Sequence, residues 1–123
     1  MNTVKSLFEN PTKEYIEKSI RVKGELKLAA VQHPYSDNEV KTWSIQVEEA
    51  KAYLANNAAS TPLITALAEN RNITVAELVA KIMENATAFS TASGNILGQQ
   101  QKYLDSVQTA TDLKGLYTEV LKW

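Results

Sequence analysis

The chain has 123 residues, 44% hydrophobic and 22% charged, with thirteen Lys and Arg against fourteen Asp and Glu and no cysteine. That length supports one hydrophobic core without staples, and the lack of cysteine excludes disulfides, thiol catalysis and cysteine-based metal sites. A formal net charge of -1 with a pI near 5.8 leaves no basic footprint for nucleic acid or an anionic membrane.

Residues 1–11 read as an N-terminal arm with Leu7 and Phe8 as apolar anchors. Met1 to Phe8 has no apolar signal-peptide core, which predicts a protein that starts in a cytoplasm. Asn10 reads as a helix N-cap with Pro11 at the first helical position. A first helix from about Thr12 to Gln32 carries Tyr15, Ile16, Ile20, Val22, Leu26, Ala29 and Ala30, and Gly24 with Val22 predicts a bend or fray near its middle. His33-Pro34 stops it, because the residue before proline avoids the helical region. Ser36 or Asp37 caps a second helix over about residues 38–56. Its apolar positions Val40, Trp43, Val47, Ala50 and Leu54 repeat in four-three steps and predict a seam against the first or the central helix. Asn56-Asn57 ends it. Pro62 opens a short helix bearing Leu63, Ile64, Leu67 and Ala68, and Asn70 to Ile73 closes it.

Thr74-Val75-Ala76-Glu77 reads as a capping box. It opens the longest helical pattern in the chain, through Val107, with Val75, Leu78, Val79, Ile82, Met83, Ala86, Phe89, Ile96, Leu97, Leu104 and Val107 as its core stripe. At about 1.5 Å per residue it is roughly 50 Å long if straight. A compact chain of this length has a radius of gyration of only about 14 Å, so the pattern predicts a kink, a break, or cover by another subunit. Gly94 and Gly98 mark the place, each costing about 1 kcal/mol against Ala in a helix interior. With Ser90 they form a strip of small residues four apart, inside a stretch from Asn85 to Gln101 that carries no charge. Two readings follow. In one the strip is an intramolecular helix contact or a Gly-Asn break; in the other it is an interface with a second chain. It is too polar to cross a membrane. Thr111-Asp112 caps a last helix with Leu113, Leu116, Tyr117, Val120 and Leu121, and Trp123 is expected to dock on a neighbouring surface. The pattern as a whole predicts one domain over residues 1–123, an all-α bundle of four to six helices with one long central helix that has room for a kink.

Catalytic chemistry finds no constellation. His33 is the single histidine and stands in a turn beside Pro34, with no second ligand at metal spacing. Glu48 and Glu49 point about 100° apart on a helix and make no local catalytic pair. There is no phosphate-binding glycine loop and no nucleophile elbow. The expectation is a non-enzyme with no catalytic residue, cofactor or metal. A DNA-binding regulator is a further alternative, since Ile73 to Met83 followed by Asn85 to Gly94 superficially resembles a helix-turn-helix. The second of those helices would carry no Lys or Arg, which base and phosphate contacts chiefly use. The candidate interface residues are Ser90, Gly94, Ile96, Leu97, Gly98 and Trp123.

One resemblance sharpens this. Thr42-Trp43-Ser44-Ile45-Gln46 with Glu49-Ala50, Ala59-Ser60-Thr61-Pro62-Leu63, Asn72 to Leu78, Gly94 to Gln101 and Ala110 to Leu113 stand in the order and spacing of a known pattern. It resembles a small helical domain of tailed bacteriophages, found in the C-terminal part of tail fibre assembly proteins. The matching residues lie between about Val40 and Leu116, so residues 38–123 read as the family-like region after a first helix and turn at 12–35. The resemblance implies a phage protein acting in the bacterial host cytoplasm as a tail fibre assembly chaperone. Its partner would be a tail or tail fibre protein; the uncharged strip offers a homo-oligomer as a further reading, and the charge balance predicts that neither nucleic acid nor membrane is bound. The alternative is a structural component retained in the virion tail. Gly98-Gln99-Gln100-Gln101 is less basic than the family pattern at this point.

Overall fold

The computed structural model describes residues 7–123 and is all-α. The arm expected at residues 1–11 therefore lies largely outside the described residues; Leu7 to Glu9 are helical and Pro11 is buried. Five longer helices follow: α1 (Lys13–Gln32), α2 (Asp37–Ala55), α3 (Pro62–Arg71), α4 (Val75–Thr109) and α5 (Leu113–Lys122). Among the described residues there is no strand. Contacts gather into two compact units, one made of residues up to Val31 with Ser93–Trp123, the other of Gln32–Ala92.

In the first unit α1 turns Ile16, Ile20 and Gly24 inward at four-residue steps. Ile16 and Ile20 meet Val107 of α4 and Tyr117 and Val120 of α5 in one buried cluster, with Tyr103, Leu104, Leu113 and Leu116 packed against it. The expected N-cap is shifted: Thr12, not Asn10, accepts from the Tyr15 amide at 3.1 Å. Nor does α1 fray at Gly24, since it is helical from Lys13 to Gln32. A Cβ built on Gly24 would collide with the Gln100 side chain, so the glycine makes room for a group from α4.

The second unit is built on Ala50, Ile64, Ala68, Leu78, Val79 and Ile82, flanked by Val47, Tyr53, Leu67 and Met83. Here α2 packs on α3 and α4. Ser36 caps α2 through the Glu39 amide at 3.1 Å, and Thr74 opens α4 through the Glu77 amide at 3.0 Å. The start of α3 is capped from outside: Glu49 of α2 accepts from the Ile64 amide at 3.0 Å and the Leu63 amide at 3.3 Å. A carboxylate there meets orphan amides and the positive end of the helix dipole together. The Thr61 hydroxyl makes no cap and lies 3.1 Å from Thr65 Oγ1. Asn72, in the left-handed region at φ 54°, closes α3 by donating to the Ala68 and Glu69 carbonyls.

Three further expectations are corrected. The break between two helices near Gly94 and Gly98 does not occur, because α4 is a single 35-residue α-helix through both glycines. The segment weighed as a helix-turn-helix lies almost wholly inside that helix and contains no turn between Met83 and Asn85. Leu54, expected in the α2 seam, is 65% exposed; Tyr53, three residues from Ala50, takes the core-facing place.

Candidate interaction surfaces

Each candidate interface residue has a definite environment. In the second unit, Ser90 is exposed and lines a shallow groove of about 300 Å³ between α2 and α4, with Val47 and Lys51 on one wall and Met83, Ala86 and Thr91 on the other. Lys51 is the single ionic group there. Close by, Trp43 stands edge-on between Tyr35 and Phe89, with centroids 4.9 and 5.2 Å away. Trp43 is thus half-buried by its own unit, as a packing residue at a seam position would be.

Gly94, Leu97 and Gly98 belong to the first unit and are exposed. Among the described residues a Cβ at either glycine would meet nothing within 4 Å, so none of these residues packs closely on the two glycines. Leu97, expected in the core stripe, is 39% exposed, whereas Ile96 is half-buried. More generally, no residue of α4 between Ile82 and Val107 is buried. That stretch includes the uncharged run from Asn85 to Gln101.

Trp123 docks within its own unit. Its ring lies 5.3 Å from that of Tyr103, Lys27 Nζ sits 5.2 Å over it, and its indole N–H donates to Gln99. Lys23 donates to the Val120 and Leu121 carbonyls at 2.7 and 2.9 Å, closing the end of α5. Burial, with the Lys27 charge second, pushes the Lys23 amine below the usual lysine range. Two turns earlier on α1, Tyr15 accepts from the Tyr117 hydroxyl at 3.4 Å. That bond, with burial second, raises the Tyr117 pKa.

Sequence reasoning passed over Glu49, whose role needed the fold to bring α3 beside it. It also passed over the outer face of α1, where Val22 and Leu26 are 47% and 67% exposed. A signal for that face was available, since residues two positions either side of Gly24 point away from the 16–20–24 line. Among the described residues no three His, Asp or Glu lie close enough to hold a metal ion, and no helix is long and apolar enough to cross a membrane. His33 is exposed at the end of α1.

Comparison with known families matches residues 84–119, from within α4 into α5, to the HI1402 helical domain. No curated protein and no solved structure matches the chain.

Proposed function

We propose that this protein is a non-enzymatic bacteriophage tail or tail fibre assembly protein that works by holding another polypeptide against its helices. The observation that carries the reading is the middle of α4, with no buried residue between Ile82 and Val107 and no charge from Asn85 to Gln101. One side of this stretch packs within the chain through Met83, Phe89, Tyr103 and Leu104, while its other side, with Ser90, Gly94, Leu97 and Gly98, is exposed and uncharged, which suits cover by a partner. Gly94 and Gly98, with open space above them among the described residues, would let a partner backbone come close, at a cost in helix propensity. The order of motifs between about Val40 and Leu116 supplies the phage context.

Affinity capture of the full chain from infected cells, beside quantitative mass spectrometry of purified particles, tests this. The expected result is a tail or tail fibre polypeptide retained by the wild type and lost by Gly98→Leu. That variant points its side chain into open space and so keeps the fold. The protein itself is expected in lysate and absent from particles. A fixed copy number in the virion would replace the chaperone with a structural tail component. Equal capture by wild type and Gly98→Leu, or no tail protein captured, would defeat the assignment to the α4 surface.

A further inference from the structure

One buried side-chain polar atom among the described residues has no hydrogen-bond partner, and it is the hydroxyl of Ser93. Buried hydroxyls are paired as a rule, because an unpaired one loses its bonds to water with nothing in return. Elsewhere in α4 the remedy is a bond to the carbonyl four residues back: Thr87 donates to Met83 and Ser106 to Lys102, each at 3.0 Å. Ser93 makes no such bond to Phe89. It stands beside Gly94, and the division of packing contacts falls immediately before it, between Ala92 and Ser93. Gly94 meets no described neighbour. Between Phe89 and Tyr103, Ala92 and Ile96 are the only half-buried apolar residues, so little packing holds this part of α4 in line.

We propose that α4 bends at Ser93-Gly94 in solution, and that the bend gives the Ser93 hydroxyl the Phe89 carbonyl as its partner. Sharp bends in helices occur chiefly at proline, at glycine-serine pairs and where a side chain enters the backbone ladder. Ser93-Gly94 supplies the last two together. A serine that bonds four residues back draws a helix out of line, and the neighbouring glycine, with no Cβ to restrict φ and ψ, lets the backbone follow. The helix remains whole while it bends. Leu78, Val79 and Ile82 anchor it on one side of Ser93 and Val107 on the other, each in its own buried cluster. The exposed, uncharged side of α4 runs through the bend, so straightening the helix would change the surface that a partner meets. The bend is a property of the free chain, so it stands or falls apart from the assembly reading.

Amide N–H dipolar couplings of the weakly aligned full chain, which report the direction of each bond, test this. They give the angle between the axes of residues 75–89 and 97–109 of α4. Ser93→Ala removes the hydroxyl and Gly94→Ala restricts the backbone, and the added Cβ at Gly94 has open space among the described residues. Both replacements favour helix, so both variants keep α4. The wild-type angle is expected to exceed that of either variant by at least about 20°, the size of a sharp bend. A helix that merely curves would give one angle in all three proteins. That result would overturn the proposal, as would a wild-type angle matched by either variant alone.

Discussion

Glu49 shows how much one side chain can do when the fold delivers it to the right place. Its carboxylate serves two amides at the start of α3, where Thr61 offers no cap. Glu49→Ala should therefore cost the second unit about 1–2 kcal/mol, the usual loss for a helix cap. Glu49→Gln, which keeps one acceptor, should lose less. Urea unfolding of both variants reads the difference, and equal stability for wild type and Ala would show that water caps α3 as well. Tyr117 gives a pH signature. Its pKa is raised from 10.0 by its hydrogen bond to Tyr15, so the folded chain holds this proton more firmly than the unfolded one. The stabilisation is complete below the unfolded value of about 10 and is lost as pH climbs through the raised folded value. Lys23, with its lowered pKa, works in the opposite sense, since its unfavourable charge is relieved as pH rises. Tyr117→Phe leaves Lys23 in place, so comparing the two proteins isolates the tyrosine. Between about pH 9 and pH 11 the wild type should lose denaturant resistance more steeply than Tyr117→Phe. Parallel curves would mean that the hydroxyl pair contributes nothing.

At the scale of the helix, the question for α1 is which of its apolar residues hold the unit together. Ile16 and Ile20 are fully buried, while Val22 and Leu26 face outward. Ile20→Ala should cost about 2–4 kcal/mol, the range for a truncated core residue. Leu26→Ala should stay within about 0.5 kcal/mol in the monomer. Thermal or urea melts at low concentration decide this, and a large loss at Leu26 would place that face inside the fold. Composition alone could not have sorted these residues, because α1 has apolar side chains on more than one face and its burial line ends at Gly24. Helix limits were more legible. Ser36, Pro62, Thr74 and Asp112 each stand where a helix starts, since a cap or a first-turn proline acts through its nearest neighbours. What local pattern could not supply was the continuity of α4 through Gly94 and Gly98. A glycine weakens a helix by only about 1 kcal/mol, too little to break one that is anchored by packing on both sides.

Across the whole chain, α4 contributes to both buried clusters, through Leu78, Val79 and Ile82 in one and Val107 in the other. The division between the units falls between Ala92 and Ser93, two residues from Gly94. The glycines expected to mark a broken helix therefore mark instead the place where one set of packing contacts gives way to the next. Of the candidate interface residues, the absence of charge from Asn85 to Gln101 needs no fold to be seen, but it argued for cover, and the exposure of Ser90, Gly94, Leu97 and Gly98 came only with the fold. Trp123 was not legible, because its place depends on Tyr103, Lys27 and Gln99 being brought together. Local stability along α4 should follow the same division. Backbone amides open more easily where few buried apolar contacts hold the helix closed. Hydrogen exchange should thus be slowest at residues 78–82 and 104–107 and faster from Ser90 to Gln101, although all are helical. Uniform protection along α4 in the isolated protein would mean that its middle is held without a partner, removing the reason to assign that surface to one. If a captured tail polypeptide slows exchange selectively between Ser90 and Gln101, the contact lies on the uncharged stretch. If it slows only Val47, Lys51 and Met83, the partner occupies the groove instead.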